Sequence, residues 1–277
     1  MNKYCVLLPD IDGTLTDSRN EISPNTKNLL NRLHKKQIPV VFASERSPGG
    51  VEAVARQTEV RAPAICYGGA LVLDENRAIL TDEGIAPADA LAFKSFVNAR
   101  FPEISLHSYI YDIWLTDGAE DEWTRRLKEA AGGEPLAGDL ASALRTAKRV
   151  HKFLCAGRSR NVGALREAAE REFPSLSFAL SDSTYLEVVR KGVSKCSAMR
   201  TIQRYYNVGA AEIVAVGDSY ADAEMLREAG MGIAMGNAPE GVKSAAKRVT
   251  ATNDDEGAYI AVKRLRFRPP ERPAEKI

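Results

Sequence analysis

The sequence predicts an α/β protein with a Rossmann-like parallel sheet core and an inserted α+β cap domain. Short apolar runs alternate with helical segments at both ends of the chain, an order typical of parallel sheets with crossover helices. Residues 83–188 break this order, because helices there are separated by pairs of neighbouring short strands. Acidic or hydroxyl residues follow several of the apolar runs, and the carboxyl ends of parallel strands are where such sheets hold their active sites. We therefore expect the functional residues in the core.

The first core segment begins with an apolar run at residues 3–9, which predicts a short buried strand. Ser23 and Pro24 then supply the N-cap and first-turn proline of a helix whose apolar positions include Leu29 and Leu33. The other elements expected here are a strand at 39–43, a helix at about 47–58, and strands near 64–66 and 70–73. This alternation of strand and helix places the segment in the parallel sheet.

The middle of the chain, residues 83–188, has a different order of elements. Pro87 opens a helix, and the residues beyond it alternate between short strands and helices. The elements expected are strands at 104–109 and 112–116, a helix at about 120–131, a loop at 132–138, a strand at 149–155, a helix at 160–172, and strands at 176–180 and 184–189. Neighbouring strands of this kind favour an antiparallel layer, so we interpret the segment as an inserted cap.

The chain returns to the core pattern with a helix at 193–206, in which apolar side chains recur every three or four residues. The apolar run 213–216 then predicts a strand that leads to Asp218. The remaining expected elements are a helix at 220–229, a strand at 231–235, and helices near 239–246 and 256–264. Strands separated by helices again indicate parallel pairing.

These elements divide the chain into two domains and a tail. The predicted core comprises residues 1–82 and 189–267, and the predicted cap comprises residues 83–188. Residues 268–277 are charged and rich in proline, so we expect a disordered tail there.

The composition favours a small-molecule partner. The chain has 38 basic and 37 acidic residues, so no strong overall field favours nucleic acid or an anionic membrane surface. Its four cysteines lack the short paired spacings of zinc and redox sites, which suits a reducing cytoplasm. The first apolar run is too short for a signal peptide or a membrane span. We expect a cytoplasmic protein that is a monomer or a weak homodimer.

Asp10 and Asp12 follow the first predicted strand and precede Gly13. This spacing can place both carboxylates on the same side at the point where the chain leaves the sheet. Taken alone, the pair fits equally well a polar turn in which the side chains cap backbone amides. Ser44 and Asp218 follow two other predicted strands, and the combination of these residue types at strand ends favours phosphoryl transfer.

The chain resembles the haloacid dehalogenase superfamily of phosphohydrolases, and within it the Cof-like subfamily IIB with a C2-type cap. Four motifs carry the resemblance, in the family's order and with the insertion between the second and the third. They are Asp10-Ile11-Asp12-Gly13-Thr14, Ser44 after the apolar run 40–43, Lys195 within 191–195, and Gly217-Asp218-Ser219-Tyr220-Ala221-Asp222. The resemblance covers nearly the whole chain and implies a phosphatase with a parallel α/β core.

The resemblance also implies a role for each motif residue. Asp10 is expected to attack phosphorus and form an aspartyl-phosphate, while Asp12 acts as general acid and base. Mg²⁺ is the implied cofactor, because carboxylate and carbonyl oxygens suit this hard cation. The residues expected at the metal are Asp10, the Asp12 backbone carbonyl, Asp218 and, behind them, Asp222. The residues expected to bind the substrate phosphate are Ser44, Arg46 and Lys195.

Three positions depart from the family pattern. Ala221 removes an asparagine amide from the fourth motif, and Gly68 removes another side chain near the site. Glu45 brings an extra negative charge beside the phosphate pocket, and Arg46 is expected to offset it. These changes are expected to alter rate or substrate choice while leaving the nucleophile, the acid–base group and the metal acids in place.

The leading hypothesis is a Mg²⁺-dependent phosphatase that hydrolyses a small phosphomonoester, such as a sugar phosphate, a nucleotide or a phosphorylated cofactor. Two alternatives remain open: a phosphomutase or related sugar-phosphate phosphatase, and a weakly active protein that binds a phosphorylated ligand. Asn237 fits either a loop beside the site or the cap of a helix. Six cap residues fit either substrate contact or core packing, and they are His107, Tyr109, Tyr111, Trp114, His151 and Lys152.

Overall fold

The computed structural model describes residues 4–118, 121–131 and 133–271. The chain forms two compact units. One is the core unit, made of the residues up to Thr81 and from Ser194 onward, and the other is the inserted unit, Asp82–Val193.

The N-terminal part of the core unit alternates strands with helices. Its elements are β1 (Val6–Pro9), α1 (Pro24–Lys35), β2 (Phe42–Ala43), α2 (Pro48–Thr58), β3 (Ala64–Cys66), β4 (Leu71–Leu73) and β5 (Ile79–Asp82). β1 to β4 are buried along their whole length, as expected of strands that are covered on both faces.

The inserted unit is built on a six-stranded sheet. Its elements are α3 (Pro87–Arg100), β6 (Ser105–Ile110), β7 (Ile113–Thr116), α4 (Glu122–Ala131), β8 (Leu136–Ala137), α5 (Leu140–Thr146), β9 (Lys152–Ala156), α6 (Ser159–Glu172), β10 (Leu176–Asp182) and β11 (Tyr185–Arg190). The strand order is β10-β11-β9-β6-β7-β8, and the pairs are antiparallel except for β7 with β8.

The C-terminal part of the core unit returns to parallel pairing. Its elements are α7 (Lys195–Tyr206), β12 (Ile213–Gly217), α8 (Ala223–Glu228), β13 (Met231–Ala234), α9 (Glu240–Lys243), β14 (Arg248–Val249) and α10 (Gly257–Val262). β12, β13 and β14 are parallel to one another. The prediction of a mixed α/β fold with a parallel core sheet is therefore confirmed.

β1 lies in the middle of the core sheet and positions the functional residues. It pairs in parallel with β12 on one side, and a parallel bridge from Asp10 to Ala43 joins it to the β2 strand on the other. The carboxyl ends of these three neighbouring strands meet at one edge of the sheet. Asp10, Ser44 and Asp218 follow these ends directly, which is why residues far apart in the sequence are brought together.

Side-chain caps fix the starts of three core helices, and one of them is Ser47, which accepts the Gly50 N–H at 3.2 Å and caps α2. Ser23 accepts a hydrogen bond from the backbone N–H of Thr26 at 3.1 Å and caps α1, as the sequence predicts. Ser194 accepts from the backbone N–H of Ser197 at 3.0 Å, and the Ser197 side chain bonds back to the Ser194 N–H. This capping box makes Lys195 the first residue of α7.

Several short elements were not expected from the sequence patterns, namely β5, β8, α5 and β14. α5 is capped by Asp139, which accepts from the Ser142 N–H at 2.9 Å, and it buries Leu140 and Leu144. Two apolar positions are too few for a periodicity to be recognised. β8 is a two-residue exposed strand within the segment predicted as a loop at 132–138.

The segment boundaries also differ from expectation. β11 continues to Arg190, and the inserted unit ends at Val193 rather than at residue 188. At the tail, the Arg268 N–H donates to the Tyr4 carbonyl at 2.9 Å, and its guanidinium donates to Glu212 at 2.7 Å. Residues 268–271 therefore belong to the core unit, whereas residues 272–277 of the predicted disordered tail lie outside the described residues.

All four cysteines are buried and none forms a disulfide. Free cysteine commonly packs in this way as a small apolar side chain. Among the described residues, no helix combines the length and the apolar character needed to cross a membrane.

Candidate active site

Asp10 is the most enclosed carboxylate at the carboxyl end of β1. Its residue is only 4% exposed, and its backbone N–H donates to the Val216 carbonyl of β12 at 2.8 Å. Its Oδ1 accepts a hydrogen bond from Lys195 Nζ at 2.6 Å. Because the main chain is held by the sheet and the side chain by an ammonium group, the carboxylate has a fixed direction.

The chain turns sharply after Asp10. The Ile11 carbonyl accepts hydrogen bonds from the N–H groups of Leu15 and Thr16 at 2.9 and 3.0 Å, which closes the turn. Gly13 lies within it at φ +72°, a conformation that favours glycine. A Cβ atom on Gly13 would lie 2.6 Å from Asp218 Oδ2, so the glycine also allows the two loops to approach.

The Asp12 side chain pairs with Arg46. Arg46 Nε donates to Asp12 Oδ2 at 2.9 Å, and Nη2 donates to Oδ1 at 2.6 Å. The Asp12 side chain is 50% exposed. The guanidinium of Arg46 thus binds Asp12, and the expectation that Arg46 also offsets the charge of Glu45 stays a prediction. Both Asp12 oxygens are acceptors in this bidentate pair.

Ser44 and Glu45 lie in the loop after β2. Ser44 is fully buried, and its Oγ accepts the backbone N–H of Arg46 at 3.1 Å, which fixes the start of the loop. The Glu45 side chain extends towards Gly68, where a Cβ atom would clash with Glu45 Oε2 and lie 2.9 Å from Oε1. Glu45 therefore fills space that a side chain at position 68 would need.

Lys195 joins the acidic residues into one network. Its side chain is 2% exposed, and Nζ donates to Asp10 Oδ1 at 2.6 Å and to Asp222 Oδ1 at 2.8 Å. Glu45 Oε1 lies 3.9 Å from the same Nζ. Burial alone would lower the pKa of Lys195, but these carboxylates outweigh that effect and raise it well above its usual range. The neighbouring carboxylates thus favour the charged form of the lysine.

Asp222 organises the loop after β12. Its Oδ2 accepts the backbone N–H of Asp218 at 3.1 Å, the N–H of Ser219 at 3.0 Å and the Ser219 hydroxyl at 2.9 Å. Its Oδ1 accepts from Lys195. Both oxygens of this fully buried side chain are thus occupied by protein donors, which suits a residue that supports a metal site rather than one that faces the ion.

Asp218 faces the Asp10 loop. Its Oδ1 accepts the Thr14 hydroxyl at 2.9 Å, and Asn237 Nδ2 lies 3.3 Å from its Oδ2. Asn237 also donates to the Gly13 carbonyl at 2.9 Å and accepts the Asn253 N–H at 3.0 Å. Pro239, not Asn237, is the cap of α9.

Thr14 and Asn237 thus bind the Asp218 side chain, although neither was among the expected site residues. Thr14 lies in the first motif, and a hydroxyl residue at that position was the signal that could have identified it as a site residue. Asn237 had been left open between two roles. Asn237 follows β13, so its distance from Gly13 depends on how β13 pairs with β12. Sequence spacing alone therefore could not decide between a position beside the site and a helix cap.

Oxygen atoms of Asp10, Asp218 and Asp222 lie within 4.8 Å of one another. Burial raises the pKa of Asp10 against the opposing effect of Lys195, and the Asp222 charge adds to the rise. Burial also raises the pKa of Asp218, although the hydrogen bond from Thr14 opposes this. Crowded buried carboxylates of this kind are stabilised by a cation, and a donor set of hard oxygens fits a divalent ion such as Mg²⁺.

The structure brings together Asp10, Lys195, Asp218 and Asp222. Ser44 follows Ala43, which forms a parallel bridge with Asp10. Asp12 and Arg46 lie beside them as a separate ion pair, and the Asp12 side chain is not part of the acidic cluster. Ala221 is exposed, so the missing asparagine amide leaves no buried gap. The catalytic and ligand roles of all these residues stay predictions.

The six residues singled out in the inserted unit belong to its internal packing and hydrogen bonding. His107 and His151 are fully buried, and His107 accepts the Trp114 Nε1–H at Nδ1 over 3.1 Å. His151 Nδ1 accepts the Tyr111 N–H at 2.9 Å. Lys152 Nζ lies 5.4 Å from the centre of the Tyr109 ring and 3.4 Å from Glu187.

Comparisons with known proteins agree with this architecture. A family model described as haloacid dehalogenase-like hydrolase matches residues 7–262. A putative phosphatase of Haemophilus influenzae is 32% identical over 257 residues, which is 93% of this chain and 96% of the relative. A 5-amino-6-(5-phospho-D-ribitylamino)uracil phosphatase of Bacillus subtilis is 27% identical over 268 residues, covering 92% of this chain and 94% of the relative.

A solved structure shows the same fold over almost the whole length. The crystal structure of a Thermotoga maritima protein superposes with a TM-score of 0.87 at 29% identity, covering 95% of this chain and 97% of that one. The resemblance inferred from the four motifs is confirmed by these matches. The chain belongs to the haloacid dehalogenase-like hydrolase family, and it is a phosphatase of that family.

Proposed function

We propose that the protein is a Mg²⁺-dependent phosphatase that hydrolyses a small phosphomonoester through an aspartyl-phosphate on Asp10. One observation carries the proposal: the buried Asp10 carboxylate is held by Lys195 at 2.6 Å within the cluster that contains Asp218. A carboxylate fixed in this way is suited to attack phosphorus, because its orientation is set before substrate arrives.

Two groups beside Asp10 are suited to bind the phosphate oxygens. The Lys195 ammonium has three N–H donors, and two of them go to Asp10 and Asp222. Ser44 Oγ accepts the Arg46 N–H, and none of the described residues accepts the Ser44 hydroxyl proton. The lysine can therefore pair with one phosphate oxygen while the serine donates to another.

The cation site is inferred from the acidic cluster. Asp10, the Asp12 carbonyl and Asp218 would hold Mg²⁺, with Asp222 supporting the loop behind them. When bound, the ion neutralises the negative charge of the carboxylates and of the phosphate. Thr14 and Asn237 would keep Asp218 turned towards the cluster.

The chemistry then divides into two displacements. An Asp10 oxygen bonds to phosphorus as the bond to the leaving oxygen breaks, and Asp12 gives that oxygen a proton. In the second step Asp12 takes a proton from water, the water oxygen bonds to phosphorus, and the bond to Asp10 breaks. Arg46 donates to both Asp12 oxygens, and each of these oxygens has a second lone pair that can take up the proton.

The substrate class is proposed from the relatives. The Bacillus subtilis relative is named for a phosphorylated ribitylamino-uracil, a small metabolite with a single phosphomonoester.

We also propose that the Asp82–Val193 unit corresponds to the C2-type cap implied by the family resemblance. Its mainly antiparallel sheet, with helices between the strands, supports this assignment.

The test is phosphate release from p-nitrophenyl phosphate and from a panel of small phosphomonoesters, with Mg²⁺ and with EDTA. Hydrolysis is expected only with the metal and is expected to be lost in Asp10→Asn. Asp255→Asn, at an exposed carboxylate of the same unit, is the matched control and should keep its activity. Absence of turnover by the wild-type protein across the panel would contradict the proposal.

Two further readouts separate the alternatives. An isomerised sugar phosphate in place of free phosphate would indicate a phosphomutase. Tight binding of a phosphorylated ligand, without hydrolysis and without Mg²⁺-dependent binding of beryllofluoride, would indicate a binding protein. Beryllofluoride imitates the aspartyl-phosphate, so its binding should require both Mg²⁺ and Asp10.

A further inference from the structure

Glu45 and Gly68 form a complementary pair beside the proposed phosphate site. The Glu45 carboxylate lies against the backbone of Gly68, which has φ +61°. A Cβ atom built on Gly68 would clash with Glu45 Oε2 and lie 3.0 Å from its Cδ. The absence of a side chain at position 68 is therefore what allows the glutamate to occupy this place.

Glu45 is also close to the proposed phosphate-binding cation. Its Oε1 lies 3.9 Å from Lys195 Nζ, and its side chain is 36% exposed. A phosphate oxygen bound to that ammonium at about 2.8 Å can lie no farther than about 7 Å from Glu45 Oε1, whatever its direction. The partly exposed Glu45 carboxylate therefore lies close to the proposed phosphate-binding position.

The charge of Glu45 is expected to affect which phosphate esters bind, because the carboxylate lies close to Lys195. Lys195 Nζ lies within 4.0 Å of three carboxylates, those of Asp10, Asp222 and Glu45. Glu45 has the most exposed side chain of the three, at 36% against 6% for Asp10 and 0% for Asp222, so a bound ester would meet the charge of Glu45 first.

We propose that Glu45 is a specificity-determining residue, which favours phosphomonoesters with a hydroxyl or ammonium group close to the phosphate and disfavours those with a second anionic group there. A carboxylate accepts hydrogen bonds from hydroxyl and ammonium donors and repels a second carboxylate or phosphate. This inference rests on the proposed phosphatase function of the same site.

The test compares substrates that differ in one charge. Glycerol 3-phosphate and 3-phosphoglycerate form one pair, and 2-hydroxyethyl phosphate and phosphoethanolamine form the other. The measured quantity is the ratio of kcat/KM within each pair, or the ratio of inhibition constants against p-nitrophenyl phosphate for esters that bind without turnover. Because only the ratio is compared, a general change in catalytic rate does not affect the result.

Glu45→Gln keeps the size of the side chain and removes its charge. It is expected to improve 3-phosphoglycerate relative to glycerol 3-phosphate by roughly five- to tenfold, and to reduce the relative preference for phosphoethanolamine by a similar factor. Higher ionic strength should reduce the discrimination of the wild-type enzyme and have less effect on the variant. Glu228→Gln, at an exposed glutamate of the same unit, is the matched control and should leave both ratios unchanged.

A second variant tests the spatial pairing. Glu45→Gly combined with Gly68→Asn moves a neutral side chain into the same space, and asparagine tolerates the positive φ of position 68. It should show the same altered ratios, whereas Gly68→Asn alone should lower the melting temperature because Glu45 occupies the space.

Unaltered ratios in both folded variants would overturn the role of Glu45, while phosphate release itself would still support the phosphatase. No hydrolysis of p-nitrophenyl phosphate by the wild-type enzyme would instead contradict the proposed function. The two failures are therefore distinguishable.

Discussion

Arg46 holds both carboxylate oxygens of Asp12, with Nε at 2.9 Å from Oδ2 and Nη2 at 2.6 Å from Oδ1. The two residues are separated by the whole of α1 and β2 in the sequence. This planar two-point contact sets the rotamer of Asp12, because the two parallel N–H donors of a guanidinium bind a carboxylate in essentially one orientation. The proposed acid–base group is therefore positioned by a neighbouring loop as well as by its own turn.

Replacement of Arg46 by lysine should lower kcat by about tenfold with little change in KM, because a point charge cannot fix the orientation of Asp12. Arg46→Ala should have a larger effect in the same direction. Steady-state kinetics with p-nitrophenyl phosphate measure both constants. Arg56→Lys is the control, since Arg56 is 71% exposed and 4.0 Å from its ionic partner Glu52. A rise in KM with unchanged kcat would show instead that Arg46 acts on the substrate.

Lys195→Met should destabilise the core by roughly 3–5 kcal/mol, since it leaves the buried Asp10 and Asp222 carboxylates without their cation. The loss should be smaller at pH 5 than at pH 8, because burial raises the pKa of Asp10 and its protonation relieves part of the unpaired negative charge. Thermal unfolding with and without Mg²⁺ measures the effect, and Mg²⁺ should restore part of the loss. Lys191→Met, at an exposed lysine, should unfold like the wild type. Equal stability of Lys195→Met and wild type at pH 8 would contradict the argument.

Gly13→Ala should lower the free energy of unfolding by about 1–2 kcal/mol, because an alanine at φ +72° is strained. It should also reduce kcat/KM by roughly a hundredfold, since the new Cβ displaces the Asp218 carboxylate, which would lie 2.6 Å away. Gly163→Ala in α6 is the matched control: apart from its chain neighbours and the backbone of its own helix, no heavy atom lies within 4 Å of the added Cβ. That change should stabilise the protein by about 0.5–1 kcal/mol and leave activity unchanged. Full activity in Gly13→Ala would show that Asp218 can move without loss.

The stability of the inserted unit should fall as the pH decreases from 6.5 towards 4. Burial lowers the pKa of His107 to about 4, whereas the unfolded chain takes up the proton near 6.5. The stabilisation is therefore complete above pH 6.5 and is lost on acidification through this window, on the order of 3 kcal/mol. Burial also lowers the pKa of His151, which acts in the same direction.

Urea unfolding between pH 8 and pH 5 measures this dependence through tryptophan fluorescence. Both tryptophans, Trp114 and Trp123, lie in the inserted unit, so the signal reports on that unit alone. His107→Gln should have a shallower pH dependence, with a residual slope due to His151. An identical slope in the variant would mean that His107 takes up its proton equally in the folded and unfolded states.

The fold class could be predicted because its signals are local. The Ser23 cap of α1, the buried runs of β1 and β12, and the change of element order after Asp82 are all visible within short windows of sequence. α5 and β14 were missed because so few residues carry no recognisable period. The exposed two-residue strand β8 was missed for the same reason.

For the candidate site, the sequence predicted which residues take part but did not predict their contacts. The order of four motifs selected Asp10, Ser44, Lys195 and Asp218, and the parallel sheet explains why they meet. The contacts of Arg46 and Asn237 could not be predicted in this way. Each is decided by side-chain direction at a loop whose position depends on the pairing of distant strands.

By itself, the sequence determined the family, the α/β architecture and the identity of the acidic and basic residues at the strand ends. Only the tertiary structure decided their ion-pair partners: Arg46 pairs with Asp12, and Lys195 pairs with Asp10 and Asp222. It also decided that Glu45 occupies the space left open by Gly68. The physical reason is distance. Hydrogen bonds and ion pairs form within about 3–4 Å, and separation along the chain does not measure proximity in space.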